Sequence, residues 1–339
     1  MSARPSPPVS RPRIGFLGVG WIGRHRMEAM VGTGAIDVAG IADPSADMAQ
    51  QAQALAPDAA LVPDMDALIG LGLDGLVIAT PSALHAAQSI NALERGIAVF
   101  CQKPLGRNAA EAAAVVEAAR RADRLLAVDL SYRFTEGMQR IRQLLQAGAL
   151  GDVYAVDLVF HNAYGPDKPW FYDPILSGGG CVMDLGVHLV DLALWALDFP
   201  DVTRVSAELL AQGQLLGTHA DTVEDYAAAT ILLGGGTVVR LACSWRLQAG
   251  CDAVISAAFH GTQGGAALRN VNGSFYDFVA EQYRGTSSET LSSPPDQWGA
   301  RAAADWAIRL AAGQRFTPEA ERLVDVARVL DRIYGREPA

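Results

Sequence analysis

Asp184, His188 and Asp191 follow one another at offsets of four and three, in an otherwise apolar run that begins just after Gly178-Gly179-Gly180. On a helix those offsets set the three side chains on one stripe. Solvent-facing stripes usually use long Lys, Glu and Arg, whereas Asp and His are weaker helix formers and better short-range acid–base groups. The stripe therefore reads as a proton-transfer site. No second His lies nearby to complete a ligand set, so no metal is expected. Lys103, in Cys101-Gln102-Lys103-Pro104, is the second candidate: it stands at the carboxyl end of a predicted central strand, the edge at which open α/β sheets bind ligands.

Gly18-Val19-Gly20-Trp21-Ile22-Gly23 is a G-x-G-x-x-G that follows a predicted strand and opens a predicted helix. In that setting Gly18 allows the tight turn, Gly20 lets backbone approach a pyrophosphate, Gly23 permits close helix packing, and the helix N-terminus offers free N–H groups to the anion. Asp43, 20 residues after Gly23, can hold a ribose diol. A 2'-phosphate about 4 Å from that carboxylate would be repelled by up to ~4 kcal/mol at an effective dielectric near 20. With Pro44 and Ser45 next in sequence and no Arg close behind, NAD is expected over NADP.

These groups need a frame. Up to residue 131, short apolar runs at 13–18, 37–42, 74–79, 97–101 and 125–128 alternate with helical stretches at 46–56, 84–95 and 109–122, the rhythm of a doubly wound parallel α/β sheet. Longer runs follow at 153–160, 205–211, 226–233, 237–245 and 253–259, with few helices between them. They predict a second, mainly antiparallel sheet, with a helix over 184–197 packed on it and a closing helix over 318–334. The expected division is a disordered Pro-rich arm at 1–12, a dinucleotide-binding domain at 13–131, and a substrate-binding and oligomerisation domain at 132–339.

The 339 residues are 50% hydrophobic, enough for a large core and against whole-chain disorder. A net charge of -10 gives none of the basic footprint that phosphate backbones require, so nucleic acid is not an expected partner. The longest charge-free stretch, 75–93, is interrupted by Thr80, Pro81, Ser82, His85, Gln88, Ser89 and Asn91, and no membrane partner is expected. Arg24, His25 and Arg26 follow the apolar run 14–22 where small cleavage-site residues would stand in a secretory signal. Cys101, Cys181, Cys243 and Cys251 form no C-x-x-C pair and read as reduced thiols of a cytoplasmic protein.

Together these segments resemble the glucose-fructose oxidoreductase / inositol dehydrogenase (Gfo/Idh/MocA) family. The resemblance rests on the glycine turn, Ala79-Thr80-Pro81 with His85, Lys103-Pro104, Tyr132-Arg133-Phe134, and Asp184-x-Gly186-x-His188-x-x-Asp191, in that order. It implies an N-terminal Rossmann domain, a C-terminal α+β domain with a large open antiparallel sheet, and a cleft where Lys103, Asp184 and His188 meet beside the nicotinamide. Cofactor contacts would come from Gly18, Gly20, Trp21, Ile22, Gly23, Asp43, Thr80, Pro81, His85, Gln102 and Lys103. One position departs from the pattern: the family usually has Glu before Lys-Pro, whereas Gln102 carries no charge to tune the lysine.

The expected reaction is oxidation or reduction of a secondary hydroxyl of a sugar, sugar derivative or cyclitol. His188 would be the base, Asp184 would orient it or share its proton, and Lys103 would bind the hydroxyl and stabilise developing alkoxide charge. Tyr132, Trp170 and Tyr172 are candidates for the walls of a sugar pocket, and His161 and Trp245 for structural roles. Two other readings are an NAD-retaining, redox-neutral glycosidase of the same fold and a non-catalytic NAD-binding regulator. An exposed sheet face needs covering, so a homodimer or homotetramer is expected. The polar stretch 286–293 is expected as a loop over the site or at a subunit contact.

Overall fold

The computed structural model describes residues 11–217 and 221–336; the first ten residues of the expected arm lie outside them. Six strands, β1 (Arg13–Leu17), β2 (Asp37–Ala42), β3 (Ala60–Leu61), β4 (Gly75–Ile78), β5 (Ala98–Cys101) and β6 (Leu126–Val128), form a parallel sheet in the order β3-β2-β1-β4-β5-β6. Helices cover both faces, which is why the central strands are unbroken apolar runs: every residue of β4 and β5 is buried. This is a doubly wound Rossmann sheet. Its carboxyl edge carries the glycine turn after β1, Asp43 after β2, Thr80 after β4, Gln102 and Lys103 after β5, and Asp129 after β6.

Nine strands make the second sheet: β7 (Val153–Asn162), β8 (Val202–Ala211), β9 (Gln214–Leu215), β10 (Tyr226–Leu233), β11 (Val238–Ser244), β12 (Ala253–Gly261), β13 (Gly265–Asn270), β14 (Phe278–Arg284) and β15 (Ser287–Ser292). Their order is β15-β14-β13-β12-β7-β11-β10-β8-β9, antiparallel except where β7 pairs with β11. Along β12 burial alternates, with Ala253, Ile255, Ala257 and Phe259 inward and the residues between them half-buried on the opposite, open face. Residues 287–292, expected in a loop, are instead the edge strand β15, paired antiparallel with β14. Their Ser, Thr and Glu side chains hide the strand because an exposed edge favours polar residues.

The helix Val187–Ala196 lies on the inner face of the second sheet, and every one of its residues is buried. The helical run Pro174–Ala196 is long and apolar enough to cross a bilayer by length and composition, but 83% of its apolar window is buried inside this fold, as a core helix requires.

A division at 131/132 assigns the helix Arg301–Ala311 to the second unit, yet it packs on the first sheet. Ala302, Ala303, Trp306 and Ala307, on one face of that helix, are buried in a core cluster with Ile14, Phe16, Val77 and Phe100. The Trp306 and Phe100 ring centroids are 5.9 Å apart. The chain thus returns to its first sheet before its last helix, Arg322–Ile333, packs against both the helix Ala109–Ala122 of the first unit and the helix Val187–Ala196 and β8 of the second.

Candidate functional site

The turn after β1 has the shape a dinucleotide needs. Gly18 sits at φ +84°, and a Cβ there would stand 2.6 Å from the Ala79 carbonyl oxygen; one on Gly23 would stand 2.2 Å from that of Gly18, so neither position admits a larger residue. A Cβ on Gly20 meets nothing within 4 Å, leaving its backbone approachable. The helix Trp21–Gly32 starts with no side-chain cap, so the first-turn amides, including those of Trp21 and Ile22, are left to a ligand, and the helix dipole favours an anion. Asp43 accepts from Val19 N at 2.7 Å through Oδ2 and from Ser45 N at 2.8 Å through Oδ1, and each oxygen keeps a second lone pair for a ribose hydroxyl. These residues fit a dinucleotide.

Thr80 and Pro81 lie at the same edge, Pro81 as the N-cap of the helix Ser82–Glu94, and Thr80 Oγ1 donates to Gln88 Oε1 at 2.6 Å. His85 does not reach the surface as a cofactor ligand would. It is 1% exposed, with Nδ1 2.7 Å from the Pro104 carbonyl and Nε2 2.7 Å from that of Thr80. It sits between the β4 loop and the Lys103-Pro104 loop, and as a neutral ring it can donate to only one of these two carbonyls. Burial draws its pKa down, against the pull of the two carbonyls.

Lys103 and Asp184 come together from the two halves of the molecule. Lys103 Nζ donates to Asp184 Oδ1 at 2.6 Å and to the Asp184 carbonyl at 2.8 Å, and both side chains stay partly accessible, at 20% and 15%. The second carboxylate oxygen accepts from Trp245 Nε1 at 3.0 Å. Asp184 is thus held between a cation and an indole, and it does not orient His188, contrary to the expectation from sequence. Its two carboxylate oxygens are taken by Lys103 and Trp245 instead. Asp184 lies in Val182–Gly186, a π-helical turn that precedes the regular helix, a device common at functional sites.

His188 is 7% exposed, and its Nδ1 is buried with no hydrogen-bond partner among the described residues. Burial, then the Lys103 and Arg26 charges, hold its pKa well below the ordinary histidine value, so the ring is neutral and can take a proton. Tyr132 backs it edge-on, with centroids 4.9 Å apart, and is itself enclosed by Phe160, Phe278 and Trp298. Tyr132 is therefore a wall behind the imidazole. The third residue of the stripe turns elsewhere: Asp191 is 2% exposed and accepts from Arg133 through both carboxylate oxygens, a structural pair.

Trp170 stacks on Phe171 at 3.8 Å, and the Tyr172 hydroxyl donates to the Pro166 carbonyl at 2.8 Å. The Tyr172 ring is edge-on to Trp245 at 5.5 Å, so this segment borders the site through Trp245. His161 bonds Ser244 Oγ at 2.7 Å, a structural contact.

Four participants were not singled out as site groups from sequence: Trp245, Glu224, and the pair Arg26 and Asp129. Glu224, 2% exposed, accepts from Gly180 N at 3.0 Å, Val182 N at 2.8 Å and the Tyr334 hydroxyl at 2.7 Å. It thereby fixes the start of the segment that carries Asp184. Asp129 was findable, because it follows β6 at the same edge that marked Lys103.

Comparison with known proteins agrees with this picture. Residues 12–130 match the oxidoreductase family with an NAD-binding Rossmann fold, and residues 138–267 match the GFO/IDH/MocA C-terminal domain. The chain is 30% identical over 235 residues to the D-glucoside 3-dehydrogenase of Escherichia coli, covering 64% of this chain and 66% of that protein, just under two thirds. It is 26% identical to inositol 2-dehydrogenase 4 of Saccharopolyspora erythraea, with 84% of each chain covered. The solved structure of levoglucosan dehydrogenase in complex with NADH and levoglucosan superposes with a TM-score of 0.82 at 20% identity, covering 96% of this chain and 97% of that one.

Proposed function

Because this chain belongs to the Gfo/Idh/MocA family of NAD-binding oxidoreductases, we propose that it oxidises or reduces a secondary hydroxyl of a sugar, sugar derivative or cyclitol. The observation that carries the reading is the contact of Lys103 Nζ with Asp184 Oδ1 at 2.6 Å, which brings a cation from the first sheet's edge to the helix that bears His188. The bound nicotinamide supplies a hydride acceptor or donor. Neutral His188 takes the proton of the substrate hydroxyl in the oxidative direction and returns it in the reductive one. Lys103, its ammonium oriented by two oxygens of Asp184, keeps an N–H for the substrate oxygen and stabilises negative charge there. Asp184 is a positioning residue for Lys103.

Asp43 supports NAD over NADP through its charge. The open face of the second sheet carries small half-buried residues such as Ala155, Val159, Ala242, Val254 and Ala258, suited to close approach by a second copy, and we assign a homodimer or homotetramer to it. The four cysteines are free, which fits a reducing cytoplasm.

The test is NADH formation measured by absorbance over a panel of inositols, aldoses, glucosides, levoglucosan and sugar phosphates. One class is expected to turn over. With that substrate His188→Ala should lower turnover by about 10²- to 10⁴-fold, the usual worth of a general base, with NAD affinity nearly unchanged. A loss below about threefold would remove His188 from the assignment.

A further inference from the structure

Side chains from three elements meet beneath the Lys103 end of the first sheet. Arg26, on the helix Trp21–Gly32, sets Nε 2.6 Å from Asp129 Oδ2, and the two side chains are only 8% and 1% exposed. Gln102 Nε2 donates to that same oxygen at 2.5 Å. Asp129 Oδ1 is buried with no hydrogen-bond partner among the described residues. Gln102 and Asp129 are the residues that leave β5 and β6, whose last members, Cys101 and Val128, pair in the sheet. A carboxylate only accepts, so the Gln102 amide must present its nitrogen to Asp129 and turn its carbonyl oxygen away.

We propose that Asp129 is a positioning residue for the cofactor site: it fixes the Gln102 amide with its carbonyl oxygen outward, as acceptor for a ribose hydroxyl, and supplies the negative charge that balances buried Arg26. With Asp129 in place, residue 102 must then be uncharged. A carboxylate at 102 would face the Asp129 carboxylate across the present 2.5 Å contact, and two carboxyl groups that close cannot both ionise. The other charged or titratable groups around the pair are His25, whose Nδ1 lies 2.9 Å from Arg26 NH1, the Lys103–Asp184 ion pair, and His188, which senses both cations. Balanced by Asp129, Arg26 does not stand as an unpaired second cation beside the imidazole.

The inference rests on the NAD-dependent reading, and a charge-relocation series separates the two. NADH binding, by fluorescence, and thermal stability are measured from about pH 5.5 to pH 8.5 for the wild type, Gln102→Glu and the exchanged pair Gln102→Glu/Asp129→Asn. In Gln102→Glu a shared proton holds the two carboxyls together at low pH and is lost as pH rises. Its NADH affinity should be near that of the wild type at about pH 5.5 and at least fivefold weaker at about pH 8.5, and its Tm should fall over the same range relative to the wild type.

The exchanged pair keeps one carboxylate and one amide, so no proton is shared between two carboxyls. It should lose the pH dependence added by Gln102→Glu in both NADH affinity and Tm, whatever its absolute affinity, since an amide at position 129 cannot through one atom both donate to a carboxylate at position 102 and accept from Arg26. Gln102→Glu with wild-type pH profiles overturns the proposal, as does an exchanged pair that keeps the single variant's profile. If the wild type binds no NADH, the functional reading fails, while the Tm profiles still decide whether the carboxylate–amide pairing is required.

Discussion

The Tyr334 hydroxyl donates to Glu224 Oε1 at 2.7 Å, joining the end of the last helix to the turn that launches the Asp184 segment. Glu224 spends its remaining acceptors on Gly180 N and Val182 N, and a Cβ at Gly180 would stand 1.9 Å from the Glu224 carbonyl oxygen. The placement of Asp184 is therefore fixed from the C-terminal end of the chain.

Removing the donor tests that dependence. Tyr334→Phe leaves a buried carboxylate short of one hydrogen bond, which costs about 1–3 kcal/mol. We expect an unfolding free energy from urea titration that is lower by that amount, together with reduced kcat, because the Asp184 segment loses its anchor while the dinucleotide turn is untouched. NAD affinity within twofold of the wild type would accompany this, and unchanged kcat in a destabilised variant would uncouple the turn from the site.

Trp245→Phe is a narrower probe. The substitution keeps the aromatic contact with Tyr172 but deletes the N–H that holds Asp184 Oδ2 at 3.0 Å. Hydrogen bonds to charged groups are worth about 1.5–3 kcal/mol, and the partial exposure of Asp184 argues for the low end. Turnover should fall by about tenfold, and the thermal midpoint should fall by the few degrees that a loss near ~1.5 kcal/mol implies. A variant with wild-type kcat would show that Lys103 alone is sufficient to orient Asp184.

Much of this arrangement was readable from sequence because its constraints are local. The buried parallel strands β1, β4 and β5 are continuous apolar runs, and the glycine turn admits only glycine where backbone meets backbone, so type and spacing declare both. Strand β15 was not readable, since Ser287–Ser292 has a polar edge composition that also suits a loop. Trp245 looked like a strand-end aromatic because its partner Asp184 lies 61 residues earlier in the chain. The π-helical turn leaves no periodic trace either, and Asp184 and His188, expected to bond each other, serve different neighbours. Alanines and one tryptophan in Arg301–Ala311 give an amphipathic pattern that says a face is buried without saying against which sheet.

Acid should destabilise the fold through its histidines. Burial holds the His188 pKa well below the ordinary value, and those of His85, His161 and His25 are lowered in the same way. The unfolded chain binds these protons near pH 6.5 whereas the folded one refuses them, so their contribution is complete above about pH 6.5 and is lost as pH falls below it. Asp191 and Glu224 act in the opposite sense, because burial raises their pKa and the fold accepts their protons more readily than the unfolded chain. Comparing the wild type with His188→Gln cancels the shared groups. The Tm of the wild type should drop more steeply than that of the variant between about pH 6.5 and pH 5.5, and parallel curves would contradict the assignment of a neutral buried imidazole.

Asp43 sets the last prediction, since its charge can be removed with little change of shape. Its two oxygens hold Val19 N and Ser45 N at 2.7 and 2.8 Å, so the carboxylate is pinned at the end of β2 and cannot swing away from an approaching 2'-phosphate. Asp43→Asn keeps one acceptor for the turn, gives up the negative charge, and exchanges the second acceptor for a donor that a phosphate can use. NAD should bind more weakly, because the ribose diol loses a charged acceptor, while NADP loses its repulsion. The ratio of the two dissociation constants should move toward NADP by at least about tenfold, equivalent to ~1.4 kcal/mol, well inside the ~4 kcal/mol that an unscreened contact near 4 Å could supply. Calorimetric titration of both dinucleotides measures that ratio directly. An unchanged ratio would mean that the Asp43 charge does not discriminate between the two dinucleotides, and equal affinity of the wild type for NAD and NADP would mean the same without any variant.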